Sequence, residues 1–169
     1  MVHFLLDEND IRKLSLEERY EHCSRSIREN DDPSFRWDNI WLSGEIIQEI
    51  TPEHKLYKKL EELYAWNLEH DDNPVVKHET CYQIAGHDMR NLIPVLIKHA
   101  KDESQDILTR HEAIEALGLM RAYEAESTIK EIAQSNSDPS VTKTAEFVLM
   151  RFNRLKKLNT PYIPAKDLY

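Results

Sequence analysis

Apolar residues along this 169-residue chain recur at three- and four-residue spacing, and polar residues fill the positions between them. That spacing places the apolar side chains on one face of an α-helix. Only three glycines and seven prolines interrupt the pattern, fewer turn residues than a β-rich chain of this size normally needs. The pattern therefore predicts an all-α fold built from amphipathic helices.

Four segments share one frame, in which a cap or turn residue precedes a helical apolar pattern. These segments are 32–44, 73–85, 106–118 and 138–150. Asp or Asn is a favourable N-cap, and Pro is tolerated at the first helical position. A second amphipathic helix follows at 51–70, 89–102 and 123–135. Two antiparallel helices per unit predict a HEAT-type α-solenoid of stacked helix pairs.

This repeat pattern predicts one HEAT-like domain over residues 1–169. Its segments are an N-terminal cap (1–31) with a helix at 15–30, a first repeat (32–72), two central repeats (73–137), a terminal helix (138–157) and a tail (158–169). Two prolines in the tail predict an irregular or extended conformation.

Net charge, the length of apolar stretches and the cysteine spacing each make some kinds of partner or site less favourable for this chain. A formal net charge of −9 disfavours nonspecific binding to nucleic acid and favours a cationic partner or substrate. No 18-residue apolar stretch and no signal peptide is recognisable, so we expect a soluble, cytoplasmic protein without a membrane partner. The two cysteines form no CxxC motif, which excludes a cysteine-rich zinc site.

The two central repeats differ from the outer two at one place in the frame. They carry His78-Glu79 and His111-Glu112, where the first repeat has Trp37-Asp38 and the last has Lys143-Thr144. Adjacent first helices of a solenoid lie parallel, roughly 8–10 Å apart, so equivalent side chains stack on one face. We therefore predict that His78 and His111 share one metal, with Glu79 and Glu112 beside them. Imidazole with carboxylate suits Fe(II), Mn(II) or Zn(II).

The same residues have an alternative interpretation, in which each His-Glu pair is an exposed pair near a helix N-terminus. Six further histidines lack repeat-equivalent spacing, and we expect ordinary surface or helix-end positions for them: His3, His22, His54, His70, His87 and His99.

Aromatic residues cluster in the first repeat. Core packing is expected for them, and the alternative is a dimer contact or the wall of a substrate pocket: Trp37, Trp41, Tyr57, Tyr64 and Trp66.

Several segments carry a resemblance to a known family. They are Lys77–Tyr82 (the KHExxY element), Ile93–Leu96 (IPVL), Arg110–Gly118 (RHEAIEALG) and Ser137–Val141 (SDPSV). Over residues 71–155 the chain resembles the His-Glu half-unit of deoxyhypusine hydroxylase. That family is a HEAT-repeat dinuclear iron monooxygenase, which hydroxylates a modified lysine of translation factor five A using O₂.

The resemblance implies a function and a set of site residues. His78, Glu79, His111 and Glu112 fall on the family's metal motifs, with Glu79 and Glu112 also as catalytic residues and Glu115 as a weaker candidate. The implied cofactor is Fe²⁺ in a dinuclear site, and the implied substrate is a protein carrying a cationic amine side chain. Which Glu ligates which iron is left open.

The chain departs from the family in having one pair of His-Glu repeats instead of two. A two-fold homodimer would restore the full complement, so we expect a dinuclear site shared across two chains. A non-catalytic HEAT scaffold that binds a protein partner is the alternative. A ligating imidazole must be neutral. Metal affinity is therefore expected to fall as the pH drops below about 6.5, the pKa of a free imidazole.

Overall fold

The computed structural model describes residues 6–164, which form two compact units divided between Gln83 and Ile84. About 75% of the structure is helical, and residues 6–164 contain no β-strand. This confirms the predicted all-α, HEAT-type fold. Over the same residues, no helix combines the length and the apolar content that crossing a membrane requires. The prediction of a single domain over 1–169 stays a prediction.

The described part of the first unit, residues 6–83, contains four complete helices and the start of a fifth. They are α1 (Glu8–Arg12), α2 (Leu16–Glu29), α3 (Pro33–Gln48), α4 (Lys55–His70) and α5 (Pro74–Gly86), the last of which runs into the second unit. Ser15 and Glu18 form a capping box at the start of α2, which confirms the helix predicted at 15–30. Helix α1 was not predicted, because five residues are too few to display a helical period.

The core of the first unit lies along α4. Its predicted apolar face is fully buried: Leu56, Leu60, Leu63, Tyr64 and Leu68. The Tyr64 hydroxyl lies 2.9 Å from the Ser43 hydroxyl of α3, so this buried phenol has a hydrogen-bond partner. Tyr57 is also buried, and the expected packing role of both tyrosines is confirmed.

A buried polar cluster connects α3, α4 and α5 within the first unit. The Arg36 guanidinium donates to both carboxylate oxygens of Asp71, at 2.8 and 2.9 Å. Asn67 donates to the same carboxylate at 3.0 Å and accepts from the Thr80 hydroxyl at 2.7 Å. The Asp71 side chain is only 1% exposed, and its carboxylate raises the pKa of Arg36. Arg36 therefore provides a cation to the buried Asp71 carboxylate, and the Asn67 side chain and the Asn73 amide provide neutral hydrogen-bond donors.

The second unit contains the end of α5 and two repeats. They comprise a 3₁₀ turn (Arg90–Leu92), α6 (Ile93–Lys101), α7 (Ile107–Leu119), a 3₁₀ turn (Tyr123–Ala125), α8 (Glu126–Ala133) and α9 (Pro139–Leu158). Asp106 and Asp138 cap α7 and α9 as their spacing predicts. The second helices at 89–102 and 123–135 were predicted as continuous. Each begins instead with a 3₁₀ turn, just after a left-handed residue, Asp88 or Arg121.

Helices α7 and α9 pack closely because Gly118 has no side chain. A Cβ at Gly118 would lie 2.7 Å from Val148 Cγ2 and 3.1 Å from Val148 Cγ1. Val148 is buried and β-branched, so it has few alternative rotamers. The glycine therefore sets the distance between the two helices that carry His111 and Thr144.

Replacing Gly118 by Ala is expected to lower the free energy of unfolding by about 1–3 kcal/mol, the usual cost of overpacking a core. Chemical denaturation monitored by circular dichroism measures the change. Gly86→Ala is the matched control, because no heavy atom lies within 4 Å of the added Cβ. That variant is expected to gain about 0.4–1 kcal/mol from the reduced entropy of the unfolded chain. Equal effects of the two substitutions would contradict the packing argument.

The tail after α9 is irregular as far as residue 164, as predicted, and residues 165–169 lie outside the described part of the chain. It is nevertheless anchored within the second unit. The Tyr162 hydroxyl donates to the Asp88 carboxylate, and the guanidinium groups of Arg90 and Arg121 lie over the Tyr162 ring. Burial, aided by the Asp88 carboxylate, raises the pKa of Tyr162 to about 12.

Candidate metal site

Helix α7 carries the second His-Glu pair. The Asp106 side chain accepts from the Leu108 amide and starts this helix, which places His111 and Glu112 in its second turn. His111 is half-buried, whereas Glu112 is 5% exposed. The alternative of a fully exposed surface pair is therefore wrong for Glu112.

Three potential ligands converge on α7. One ligand atom from each of His111, Glu112 and Glu115 lies within 4.8 Å of the other two. His111 Nε2 lies 3.3 Å from a carboxylate oxygen of Glu115, one helical turn further along. Glu115, the weaker candidate from the sequence, therefore lies in direct contact with the imidazole. Metal binding by these residues stays a prediction.

The other imidazole nitrogen of His111 faces the last repeat. His111 Nδ1 lies 2.7 Å from the Thr144 hydroxyl on α9. That hydroxyl also donates to the Ser140 carbonyl, one turn earlier in α9, at 2.7 Å. Thr144 was not predicted to take part in the site. The repeat alignment does contain a signal for this residue. Thr144 occupies the position in the last repeat that is equivalent to Glu112 in the third repeat.

The first His-Glu pair lies on the part of α5 that belongs to the first unit. The Asn73 side chain accepts from the Val75 and Val76 amides and starts this helix. His78 is half-buried and Glu79 is 6% exposed. Glu79 accepts a hydrogen bond of 2.8 Å from the Gln83 side chain. The sharing of one metal by His78 and His111 stays a prediction.

The chemistry of these donors fits the metals expected from the sequence. A buried carboxylate is stable only when hydrogen bonds or a cation compensate for its lost hydration. Glu79 and Glu112 are both buried, and each directly follows a half-buried histidine in the sequence. Imidazole nitrogen with carboxylate oxygen is the donor set that suits Fe(II), Mn(II) and Zn(II). The residues therefore fit an iron site.

The first repeat has a different surface at the equivalent frame position. Trp37 and Asp38 line an open pocket of about 250 Å³ together with Glu8 and Trp41. Burial raises the pKa of Asp38, and the carboxylates of Glu8 and Asp32 add to the shift. Trp41 is exposed, so the expected core role is wrong for this residue and the pocket-wall interpretation describes it better.

The remaining histidines divide into two groups. His54 and His70 lie at the two ends of α4, as expected, and His3 lies outside the described residues. His22, His87 and His99 are buried. His87 directly follows α5 and His99 lies in the last turn of α6, so both have the expected helix-end position, whereas the expectation was wrong for His22 inside α2. His99 follows Leu92 and Leu96 at helical spacing, and a periodic apolar face can bury a polar residue that continues it.

The geometry and the repeat pattern define the class of protein: the chain belongs to the HEAT-repeat family. A family model described as HEAT repeats matches residues 61–150, more than half of the chain. Within that class, the expected resemblance to one half of deoxyhypusine hydroxylase is confirmed by several relatives and by a solved structure.

The relatives match this chain over part of their length. Deoxyhypusine hydroxylase of Bos taurus is 36% identical over 88 residues, which cover 52% of this chain and 28% of that protein. The Saccharomyces cerevisiae enzyme of the same name is 26% identical over 108 residues, covering 64% and 33%. Human deoxyhypusine hydroxylase in complex with glycerol superposes on 88% of this chain and 48% of its own, with a TM-score of 0.71 and 19% identity. This last likeness shows the fold.

Proposed function

We propose that this chain is a metal-binding HEAT-repeat protein that works as an O₂-dependent diiron monooxygenase on a cationic amine side chain. The similarity to deoxyhypusine hydroxylases supports the reaction class. The observation that carries the proposal is the convergence of His111, Glu112 and Glu115 within 4.8 Å on α7. The acidic net charge of −9 supports a cationic substrate.

The proposed ligands are His78, Glu79, His111 and Glu112. Iron held by these residues would supply the binding and activation of O₂. The protein's own contribution is to orient the imidazoles, to keep the Glu79 and Glu112 carboxylates away from bulk water, and to attract the substrate ammonium group by their negative charge. Modified lysine of the translation factor five A type is the proposed substrate class.

The proposed assembly is a two-fold homodimer. One chain offers two His and two Glu at the His-Glu positions, which is few for two irons with five or six ligands each. Two chains offer four of each residue. Two-fold symmetry provides this duplication with one self-complementary interface.

Metal loading is therefore expected to favour the dimer, because a ligand that binds the assembled state stabilises that state by mass action. Light scattering coupled to size exclusion, over a dilution series with and without a chelator, measures the effect. We expect the dimer to persist to greater dilution when Fe(II) is present. A chain that holds two irons while remaining a monomer would contradict the dimer.

Hydroxylation itself is tested with Fe(II)-loaded protein, O₂, a chemical reductant and a peptide carrying an aminoalkyl-lysine side chain. The reductant supplies the two electrons that, with two protons, convert the second oxygen atom of O₂ to water. The expected product is heavier by one oxygen atom, detected by mass spectrometry. Glu112→Gln is expected to abolish product. Glu124→Gln, at an exposed position outside the His-Glu motifs, is the matched control and is expected to leave the yield unchanged.

A second candidate function is a scaffold that binds a protein partner without catalysis. The position four residues after the His-equivalent position carries an exposed aromatic residue in three repeats: Trp41, Tyr82 and Phe147. Exposed aromatic side chains are typical of protein-binding surfaces. The third repeat has Glu115 at that position, where it approaches His111 instead. A scaffold has no requirement for iron, so metal content separates the two candidates.

A further inference from the structure

The Thr144 hydroxyl contacts the Nδ1 atom of His111, and its other hydrogen bond bears on which ring nitrogen carries the proton. A hydroxyl has a single proton to donate, and the Thr144 hydroxyl directs it at the Ser140 carbonyl, which can only accept. The 2.7 Å contact with His111 Nδ1 must then have the imidazole as its donor. The neutral ring is therefore the Nδ1–H tautomer, and its Nε2 carries the lone pair.

That lone pair faces carboxylates. Nε2 lies 3.3 Å from a Glu115 oxygen, and a Glu112 oxygen belongs to the same cluster within 4.8 Å. A lone pair opposite a carboxylate is repulsive unless a proton or a metal ion lies between them. A metal ion satisfies the imidazole nitrogen and the carboxylate oxygens together, since these are ligands that first-row divalent metals accept.

We propose that Thr144 is a positioning residue, which holds His111 as the Nδ1–H tautomer so that Nε2 and the Glu112 and Glu115 carboxylates bind one metal ion. The proposal rests on the proposed function and adds two residues to its site. Ligating histidines generally donate their second ring N–H to an outer partner, and losing that partner typically weakens metal affinity by 10–100-fold. Thr144 supplies this partner from the neighbouring helix, and Glu115 supplies the third ligand.

The tautomer is measured first, in the metal-free full-length chain. Long-range ¹H–¹⁵N correlation spectra at about pH 8.5, where a free imidazole is neutral, distinguish the two ring nitrogens. We expect the His111 Nδ1–H form in the wild-type protein and in Thr144→Ser, which keeps the hydroxyl. Thr144→Val is expected to lose that preference. An Nε2–H tautomer in the wild type, or an unchanged tautomer in Thr144→Val, would overturn the role of Thr144.

Metal affinity is measured second, by anaerobic calorimetric titration with Fe(II). Thr144→Val is expected to weaken binding by about 10–100-fold, and Thr144→Ser by less than about threefold. Thr142→Val is the matched control, because the Thr142 hydroxyl bonds to the backbone carbonyls of Asp138 and Pro139 at the start of α9. Glu115→Gln is expected to weaken binding by at least as much as Thr144→Val. Wild-type affinity in Glu115→Gln would remove Glu115 from the ligand set.

The two measurements separate this inference from the proposed function. Fe(II) binding that disappears in His111→Ala but is unaffected by Thr144→Val and Glu115→Gln would leave the metal site intact and refute the inference. A wild-type chain that binds no Fe(II) would refute the proposed function and the metal role of Glu115. The tautomer would still decide whether Thr144 orients the ring.

Discussion

Replacing His111 by Ala is expected to weaken Fe(II) binding by more than about 100-fold, since even the loss of an outer partner of a ligating histidine costs 10–100-fold. The imidazole is the one nitrogen ligand among the three groups that converge on α7. His111 is half-buried, and its loss removes the hydrogen bond to Thr144 and the partly exposed contact with Glu115. The metal-free free energy of unfolding should therefore fall by no more than about 1–1.5 kcal/mol.

Anaerobic titration with Fe(II) and chemical denaturation of the same samples test both parts of this prediction. His70→Ala is the matched control, because His70 is an exposed histidine at the end of α4 whose ring contacts the Trp66 carbonyl. It is expected to keep wild-type affinity. Unchanged Fe(II) affinity in His111→Ala would exclude this histidine as a ligand.

Replacing Arg36 by Met is expected to lower the free energy of unfolding by about 3 kcal/mol, because removing one partner of a buried ion pair leaves an uncompensated charge. The Asp71 side chain is 1% exposed and accepts two hydrogen bonds from Arg36. Methionine keeps much of the aliphatic volume, so packing changes contribute little. Denaturant unfolding monitored by circular dichroism measures the loss.

Two variants show that the buried charge causes the loss. Asp72 also pairs with Arg36, at 2.9 Å, but it is 92% exposed, so Asp72→Asn is expected to change stability by less than about 0.5 kcal/mol. Adding Asp71→Asn to Arg36→Met removes the orphaned charge and should recover part of the stability. A double variant less stable than Arg36→Met would show that the charge is not responsible.

The helices were the most predictable part of this protein. Helix α7, predicted at 106–118, runs over Ile107–Leu119, and α9, predicted at 138–157, runs over Pro139–Leu158. Both begin at an Asp whose side chain caps the helix, a local signal that sequence displays directly. The 3₁₀ turns before α6 and α8 were not predictable, because they depend on left-handed backbone at Asp88 and Arg121. Arg has no preference for that conformation, and Asp, although enriched in it, adopts it in only a small fraction of its positions.

The candidate site was only partly predictable. His111 and Glu112 could be predicted as candidate ligands, because the same His-Glu pair recurs at the equivalent position of the preceding repeat and this recurrence is visible in the sequence. The burial of Glu112 and the proximity of Glu115 depend on side-chain packing, which the frame does not encode. The repeat alignment places Thr144 at the position equivalent to Glu112, but its contact with His111 depends on the packing of α7 against α9 and is not visible in the sequence.

The central claim is that the His-Glu repeats hold iron, and iron content tests it most directly. The full chain would be loaded with Fe(II) without oxygen, freed of excess metal, and analysed for iron by plasma mass spectrometry. The wild type should retain about one iron per chain, as a dinuclear site shared by two chains requires. A chain carrying both His78→Ala and His111→Ala should retain none. Equal iron in the two proteins, or no iron in either, would contradict the account.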